Sequence, residues 1–324
     1  MILVITKTND NTADYVLQRM KDRQVNYVRL NSDEFMRNSV SLSFETTSPS
    51  IIVTPSNQTI YLEEISAVWL RRLVQPEVSN NIIRNKEARI FAVQEQNFTL
   101  RWFIDALPCP IIDREPNMVR ARNKFLQLQL AKELGLKIPP TLVTNNPSEA
   151  REFVEEYKDV AIKTIAGYGR RLKNGFEASY THLVTPEILK KFDSIRFAPV
   201  CLQQYINKKF ELRITVVGKK IFGCRIDSQT SLKTKIDWRK GNVFVKHSVY
   251  SIGEEIEKRI LKMMDYFHIH FAAFDFIMDL HDELVFLEMN PGGQFVWIEE
   301  LTGMPITDAL IDSLIDNTKI ESCK

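Results

Sequence analysis

Near the C-terminal end of the chain, two carboxylates sit inside apolar sequence. Ala272-Ala273-Phe274-Asp275-Phe276-Ile277-Met278-Asp279 and Leu284-Val285-Phe286-Leu287-Glu288-Met289-Asn290-Pro291 are separated by the polar break Leu280-His281-Asp282-Glu283, the pattern of a β-hairpin. Side chains alternate along a strand, so Glu288 and Asn290 share a face. If the four break residues form the loop, Asp279 faces Leu284 and Asp275 falls opposite Glu288. Like charges paired in this way repel, and apolar walls raise the cost of leaving either one unpaired. A hard divalent cation held by three oxygen ligands relieves that repulsion, and Mg²⁺ is bound by one or two carboxylates plus substrate phosphates. The competing account is a solvated or ion-paired Asp and Glu. The Pro291-Gly292-Gly293 stop just past Asn290 favours the cation, because it lets a ligand approach the backbone closely. The chemistry indicated is phosphate chemistry.

Other residues fit the same chemistry. Lys163 lies inside the apolar strand Val160-Ala161-Ile162-Lys163-Thr164 and needs an anion there, either a neighbouring carboxylate or a phosphate. Gly167 and Gly169, followed by Arg170 and Arg171, suit a turn that folds over phosphates, although no P-loop or GxGxxG is present. Gln204-Tyr205-Ile206 could offer alternating backbone groups to a purine edge. Glu211 and Arg213 share one strand face, which sets a carboxylate for ribose hydroxyls beside a guanidinium for phosphate. A cross-strand ion pair is the alternative for these two.

These residues need a scaffold, and the rest of the chain supplies one. Its 324 residues are enough for two or three packed units. With 44% hydrophobic and 26% charged residues the composition is that of a globular protein. A net charge of +2 gives no nucleic-acid footprint. Four scattered cysteines without a CxxC indicate neither a disulfide framework nor a zinc site. Met1–Thr6 reads as a buried strand rather than a signal peptide, and no run reaches the roughly 18 apolar residues that span a bilayer; the expectation is a cytoplasmic protein. Strand and helix patterns alternate over the first hundred residues, with helices over Thr12–Arg23 and Lys86–Ala106 and a hairpin-like region near 40–62. A Pro-rich stretch from Leu107 to Pro116 marks a boundary. Asn117–Leu134 reads as one helix, and mostly strands follow residue 195 until the amphipathic helix Glu254–Phe267.

The order Lys124, Lys163, Gln204-Tyr205-Ile206, Glu211-Leu212-Arg213, Asp275, Glu288-Met289-Asn290-Pro291 resembles the ATP-grasp superfamily of carboxylate–amine ligases. More narrowly, the chain is similar to the ATP-grasp peptide ligases that build ω-ester and ω-amide crosslinks in microviridin-type ribosomal peptides, the graspetides. That resemblance spans almost the whole chain and includes Ser66-Ala67-Val68-Trp69-Leu70-Arg71-Arg72 and Asp237-Trp238-Arg239-Lys240. It implies an α/β (α+β) ATP-grasp fold with an N-terminal pre-ATP-grasp domain (1–115), a small central domain (116–195) and a C-terminal antiparallel-sheet domain (196–324).

The resemblance also implies roles. Lys124 and Lys163 would hold ATP phosphates, and Gln204 would stand where many relatives read adenine with a Glu. Tyr205 and Ile206 would flank the base, and Glu211 would bind ribose. Asp275, Glu288 and Asn290 would bind Mg²⁺. Arg213 would stabilise the transferring phosphoryl group, with Arg225 a second catalytic candidate. Asp227 to Val249 would be a hairpin region contacting the precursor's leader, with Asp237, Trp238 and Arg239 as contacts, while Arg71 and Arg72 would steer an acidic substrate. The expected partner is a ribosomal precursor peptide with a leader and an acidic, Ser/Thr-containing core, and the family implies a homodimer. Neither nucleic acid nor membrane is expected as a partner. Two other readings stay open: a ligase adding free amino acids to an acceptor, and a nucleotide-binding regulator without chemistry.

Overall fold

The computed structural model describes residues 1–43, 51–54, 58–165, 170–172, 175–177, 180–240 and 245–316; the Gly167/Gly169 turn lies outside the described residues. The N-terminal unit begins β1 (Ile2–Thr6), α1 (Asn11–Asp22), β2 (Tyr27–Asn31). A meander follows over β3 (Ser39–Ser41), β4 (Ile51–Val53) and β5 (Thr59–Tyr61), then β6 (Ala67–Leu70), α2 (Lys86–Ala106) and β7 (Ile111–Ile112). Strands pair in the order β2-β1-β6-β7, all parallel. Every residue of β1 is buried, as a strand covered on both faces requires. The Asp10 carboxylate accepts from the N–H groups of Thr12 and Ala13 and so starts α1.

A break appears where the sequence reads as a single helix. Residues expected to run from Asn117 to Leu134 form two helices, α3 (Glu115–Ala121) and α4 (Lys124–Glu133). The Asn123 side chain accepts from the N–H groups of Phe125 and Leu126, offering the backbone a cap in place of a continued helix. Lys124 therefore opens a fresh helix, where the backbone dipole attracts anions. The chain continues with β8 (Thr141–Thr144), α5 (Pro147–Tyr157), β9 (Val160–Lys163), β10 (Arg170–Leu172), β11 (Gly175–Glu177), β12 (His182–Leu183), α6 (Pro186–Leu189) and β13 (Val200–Gln204). A sheet ordered β12-β9-β13-β8 packs over Ala150, Val160, Phe192, Ile195 and Leu202.

The C-terminal unit holds β14 (Lys208–Val217), β15 (Lys220–Ile226), β16 (His247–Val249), α7 (Glu254–Phe267), β17 (Phe271–Asp279), β18 (Leu284–Pro291), α8 (Val296–Thr302) and α9 (Ile306–Ile315). Its sheet is antiparallel, ordered β16-β15-β14-β17-β18. One face buries Phe210, Leu212, Ile214, Phe274, Phe276, Phe286 and Met289 beneath α4 and α7. The Asp227–Val249 segment is not a hairpin in its described part: two short helical turns cover Ser228–Thr230 and Trp238–Lys240. Local side-chain bonds divert its backbone, including Thr234 Oγ1 to the Ser228 carbonyl at 2.6 Å and Arg239 N–H to Asp237 Oδ1 at 3.1 Å.

A β-bulge decides which way Glu288 faces. Phe286 and Glu288 are two residues apart, so a regular pleat would send both into the core. Instead Phe276 pairs with Phe286 while Asp275 pairs with Glu288, leaving Leu287 extra. The turn also differs from the expected four-residue loop. Asp279 accepts through Oδ1 from the N–H groups of His281 and Glu283, both at 2.9 Å, and Asp282 takes a left-handed φ of 64°. Met278 then faces Leu284, one place off the expected register, and the bulge restores the Asp275–Glu288 pairing.

The N-terminal unit braces both ends of this hairpin. Asp113 accepts from the N–H groups of His270 (2.6 Å) and Phe271 (3.0 Å) at the start of β17. The buried Arg71 Nη1 donates to the Gly292 carbonyl just past β18. Among the described residues no helix is long and apolar enough to cross a membrane.

Replacing Asn123 by Ala should lower stability by about 1 kcal/mol in urea unfolding, the usual worth of an N-cap. An unchanged midpoint would mean that packing, not the cap, sets the break before Lys124.

Candidate functional site

Between the central and C-terminal sheets lies a cavity of about 910 Å³. Arg72, Arg122, Lys124, Lys163, Lys208, Arg213 and Arg239 line it, against the carboxylates of Glu211, Asp237, Asp275 and Glu288. Seven cations facing four anions leave an excess of positive charge, which suits a polyanionic ligand. Gln204, Tyr205, Ile206, Ala161, Ile277 and Leu287 also line the cavity and supply part of its apolar surface, the kind of surface on which a flat base packs.

The carboxylates sit at the centre of a buried ionic group. Arg213, Asp275 and Glu288 lie directly across three adjacent strands. Arg213 Nη1 donates to Asp275 Oδ2 at 2.7 Å, and Lys124 Nζ bonds Glu288 Oε2. Asn290 Nδ2 bridges the two acids, 3.1 Å from Asp275 Oδ2 and 3.1 Å from Glu288 Oε1. Burial pushes both carboxyls upward. For Glu288, Lys124 and Lys163 together outweigh burial and hold it down at about 2. For Asp275, burial prevails over the Arg213 guanidinium, and the neighbouring Glu288 charge adds to the rise.

Asp275 Oδ1 is buried without a hydrogen-bond partner, which is costly unless something polar meets it. Two carboxylates with that oxygen unused match the oxygen ligands a hard divalent cation takes, and the Asn290 amide joins them once turned to present Oδ1 in place of the Nδ2 that now bridges the acids. Among the described residues no group of three His, Cys, Asp or Glu side chains is placed to hold a metal ion, so Asn290 would have to supply the third protein ligand.

Glu211 and Lys208 share the cavity face because Lys209 forms a second bulge, between Lys208 and Phe210. Their side chains pair at 2.9 Å, and burial raises the Glu211 carboxyl despite the lysine. The cross-strand ion pair raised as the alternative is present for Arg213, with Asp275, while Glu211 pairs within its own strand, with Lys208, and both residues still line the cavity. Lys163 donates to the neutral Gln203 amide at 2.7 Å. Tyr205 donates its hydroxyl to the Lys235 carbonyl at 3.1 Å. Gly293 follows β18 closely: a Cβ there would stand 2.7 Å from Arg213 Nη2 and 2.7 Å from Ala273 Cβ. Only glycine fits beside the guanidinium.

The structure separates several residues grouped by sequence. Arg225 is opposite Leu212, whereas Arg213 is opposite Cys224, so the two arginines point to opposite faces of the sheet. Arg225 lies 4.1 Å over the Phe210 ring and bonds Asp227 at 2.7 Å. The catalytic role expected of it has no geometric basis. Arg71 and Arg72 also part. Arg72 lines the cavity, while Arg71 is buried against Gly292 and 3.5 Å from Asp10, with burial pulling its guanidinium down to about 10. Asp237, Trp238 and Arg239, expected at a leader-binding hairpin, line the same cavity as the carboxylates. Asp237 accepts from Arg239 Nε at 2.8 Å and from the Thr181 N–H at 3.1 Å. Trp238 packs on Trp297 with ring centres 5.1 Å apart.

Sequence reasoning missed Gln127. It is buried on α4, accepts from Met289 N–H at 2.9 Å and donates to the Met289 carbonyl at 2.8 Å. It therefore fixes the backbone between Glu288 and Asn290 to the helix that carries Lys124. The available signal was one amide a turn after Lys124 among apolar neighbours.

Residues 1–118 match the MvdD pre-ATP grasp domain and residues 121–314 the RimK-like ATP-grasp domain. The chain is similar to the RiPP-associated ATP-grasp ligase of Chryseobacterium gregarium, solved with ADP and a leader and core peptide. The TM-score is 0.88 and identity 32%, covering 97% of this chain and 96% of that one. It is also similar to the macrocyclase MdnC of Microcystis aeruginosa bound with precursor peptide MdnA, at TM-score 0.86 and 30% identity over 98% and 99% of the two chains. By sequence it is 26% identical, over 222 residues, to the tetrahydromethanopterin:alpha-L-glutamate ligase of Methanocaldococcus jannaschii, covering 65% of this chain and 72% of that protein.

Titrating the protein with Mn²⁺ in the presence of ADP should show a bound cation by electron paramagnetic resonance. Asp275→Asn and Glu288→Gln should each weaken it at least roughly tenfold, as expected for lost carboxylate ligands. Unchanged affinity in both variants would remove the cation from this face.

Proposed function

The chain belongs to the RimK-like ATP-grasp family, with a pre-ATP-grasp domain of the MvdD type ahead of it, and from that premise we propose that it closes rings in a ribosomal precursor peptide. ATP would activate Asp or Glu side chains of the peptide, and its Ser/Thr hydroxyls or Lys amines would capture them. The observation that carries the reading is the meeting of Lys124, Lys163, Glu211, Arg213 and the Asp275–Glu288–Asn290 set in one cavity. Full-length similarity to peptide-bound ATP-grasp ligases supports it.

The reaction needs activation because a carboxylate resists nucleophiles. A side-chain oxygen of the peptide attacks the terminal phosphorus of ATP, ADP leaves, and an acyl-phosphate forms. The hydroxyl or amine then attacks the acyl carbon, phosphate leaves with its bonding electrons, and the nucleophile gives up a proton. The product is an ester or amide ring. Lys124 and Lys163 hold the phosphates, with Lys124 at a helix start whose dipole adds to its charge. Gln204, Tyr205 and Ile206 border the base, with Ile277 and Leu287 against it, and Glu211 takes the ribose hydroxyls. Asp275, Glu288 and Asn290 would hold Mg²⁺, which when bound neutralises charge on the phosphates.

Arg213 supplies a fixed guanidinium where charge develops in transfer. Its Nε is buried without a partner, and Gly293 keeps the space beside it clear. Arg239 lines the same cavity and is tied down by Asp237, so it joins Arg213 as a group facing the substrate acid. Arg72, which also lines the cavity, would steer the acidic peptide.

A second copy of the chain belongs to this reading. Ile90, Phe91, Phe98 and Trp102 stand exposed along α2, Trp102 at 67%. An exposed apolar stripe containing three aromatics suits an isologous two-fold pairing. Light scattering should give a dimer mass that Phe91→Glu with Trp102→Glu reduces to a monomer. A wild-type monomer would remove the second copy.

With ATP, Mg²⁺ and the precursor peptide, mass spectrometry should show the loss of one water for each ring. Arg213→Ala should lower kcat by roughly a hundredfold or more while nucleotide still binds, as for a donor used mainly in the transition state. A gain equal to an added amino acid would instead favour a ligase of free amino acids. Tight nucleotide binding without ADP formation on any peptide would favour a regulator.

A further inference from the structure

Lys163, Gln203 and Thr141 stand on neighbouring strands. Strand β13 lies between β8 and β9, and Gln203 pairs directly with Thr141 on one side and Ala161 on the other. Ala161 and Lys163 are two residues apart, so Lys163 is the diagonal neighbour of Gln203 on the same face. Gln203 is 4% exposed, and a buried amide must satisfy both of its ends.

The hydrogen bonds among these groups can run in only one direction. The Thr141 hydroxyl donates its single hydrogen to the Pro139 carbonyl at 2.8 Å, so toward Gln203 its oxygen can only accept. Gln203 Nε2 donates to it at 2.9 Å. That leaves Gln203 Oε1 facing Lys163 Nζ, 2.7 Å away. An amide that could otherwise flip end for end is locked by one hydroxyl.

We propose that Gln203 is a positioning residue that aims the Lys163 ammonium into the cavity without cancelling its charge, and that Thr141 locks Gln203 in the orientation this requires. A carboxylate at the same place would hold the lysine as firmly but neutralise it. An apolar residue would leave the ammonium, which burial disfavours and the Glu288 charge favours, free to swing toward Glu288. A neutral acceptor occupies one of the three ammonium hydrogens and leaves two for phosphate oxygens. This inference rests on the reading of Lys163 as a phosphate ligand.

The test measures binding of ADP and of a non-hydrolysable ATP analogue, each with Mg²⁺, to the full-length protein by calorimetry. The variants are K163A, Q203L, Q203E, T141V and the double variant T141V/Q203L. K163A should weaken nucleotide binding. Q203L and Q203E should each weaken it roughly tenfold, one by releasing the lysine and the other by neutralising it, and T141V by about threefold. Thr141 acts only through Gln203, so the double variant should bind no worse than Q203L. A purely structural Gln203 would instead give additive losses that track the melting temperature. If K163A weakens binding while Q203L and Q203E leave it unchanged, the positioning role is overturned and the reading of Lys163 survives. If K163A binds nucleotide normally, that reading fails first and the inference with it. Should Q203L fail to fold, T141V, which removes only the hydroxyl, carries the test, and wild-type affinity in T141V overturns the lock.

Discussion

Two carboxylates facing each other on a closed sheet face set the terms for the rest of the molecule. Asp275 and Glu288 are neighbours across β17 and β18, where their mutual repulsion is poorly screened by water. Countercharge arrives from separate elements. Arg213 comes from β14, Lys124 from the start of α4, and Lys163 from the last residue of β9 in the central sheet. A buried ionic group of this kind contributes little to stability compared with a well-packed apolar one. Its presence fits a site whose charge is balanced only when its ligands are present.

The elements that build this group also tie the units together. Gln127 on α4 holds the Met289 backbone between Glu288 and Asn290. Asp113 and Arg71, both buried and both from the N-terminal unit, hold the first residues of β17 and the carbonyl of Gly292 beyond β18. The N-terminal unit thereby fixes the two ends of the site hairpin. Arg72, just past β6, is the residue this unit adds to the cavity lining among the described residues.

Much of this was legible in the sequence because it depends on short-range pattern. The hairpin, the pairing of Asp275 with Glu288 and the shared face of Glu211 and Arg213 all follow from strand alternation and a polar break. The pairing came out correctly for an incomplete reason. The turn is one residue tighter than expected, and Leu287 restores the register. Nothing in the spacing of Phe286 and Glu288 announces a bulge, since the pleat would bury both. Arg225 illustrates the converse. Its face is fixed by the two-residue turn Gly218-Lys219, where Val217 pairs with Lys220 and Gly218 takes a φ of 58°. That is a turn glycine favours at its first position, so counting from it would have set Arg225 opposite Leu212. Gln127 and Gln203 were invisible as functional residues because an amide carries no charge to mark it. Their importance comes from the partners that the fold brings to them.

The central claim is that the substrate's own carboxylate is phosphorylated in this cavity and then loses that phosphate to a hydroxyl or amine of the same peptide. The most direct measurement labels the Asp and Glu side-chain oxygens of the precursor with a heavy isotope and follows where the label goes during ring closure. The account predicts one heavy oxygen in each phosphate released, because the carboxylate oxygen that attacks ATP departs with the phosphoryl group. Unlabelled phosphate released alongside ring formation would contradict it, since the activated group would then be something other than the peptide carboxylate.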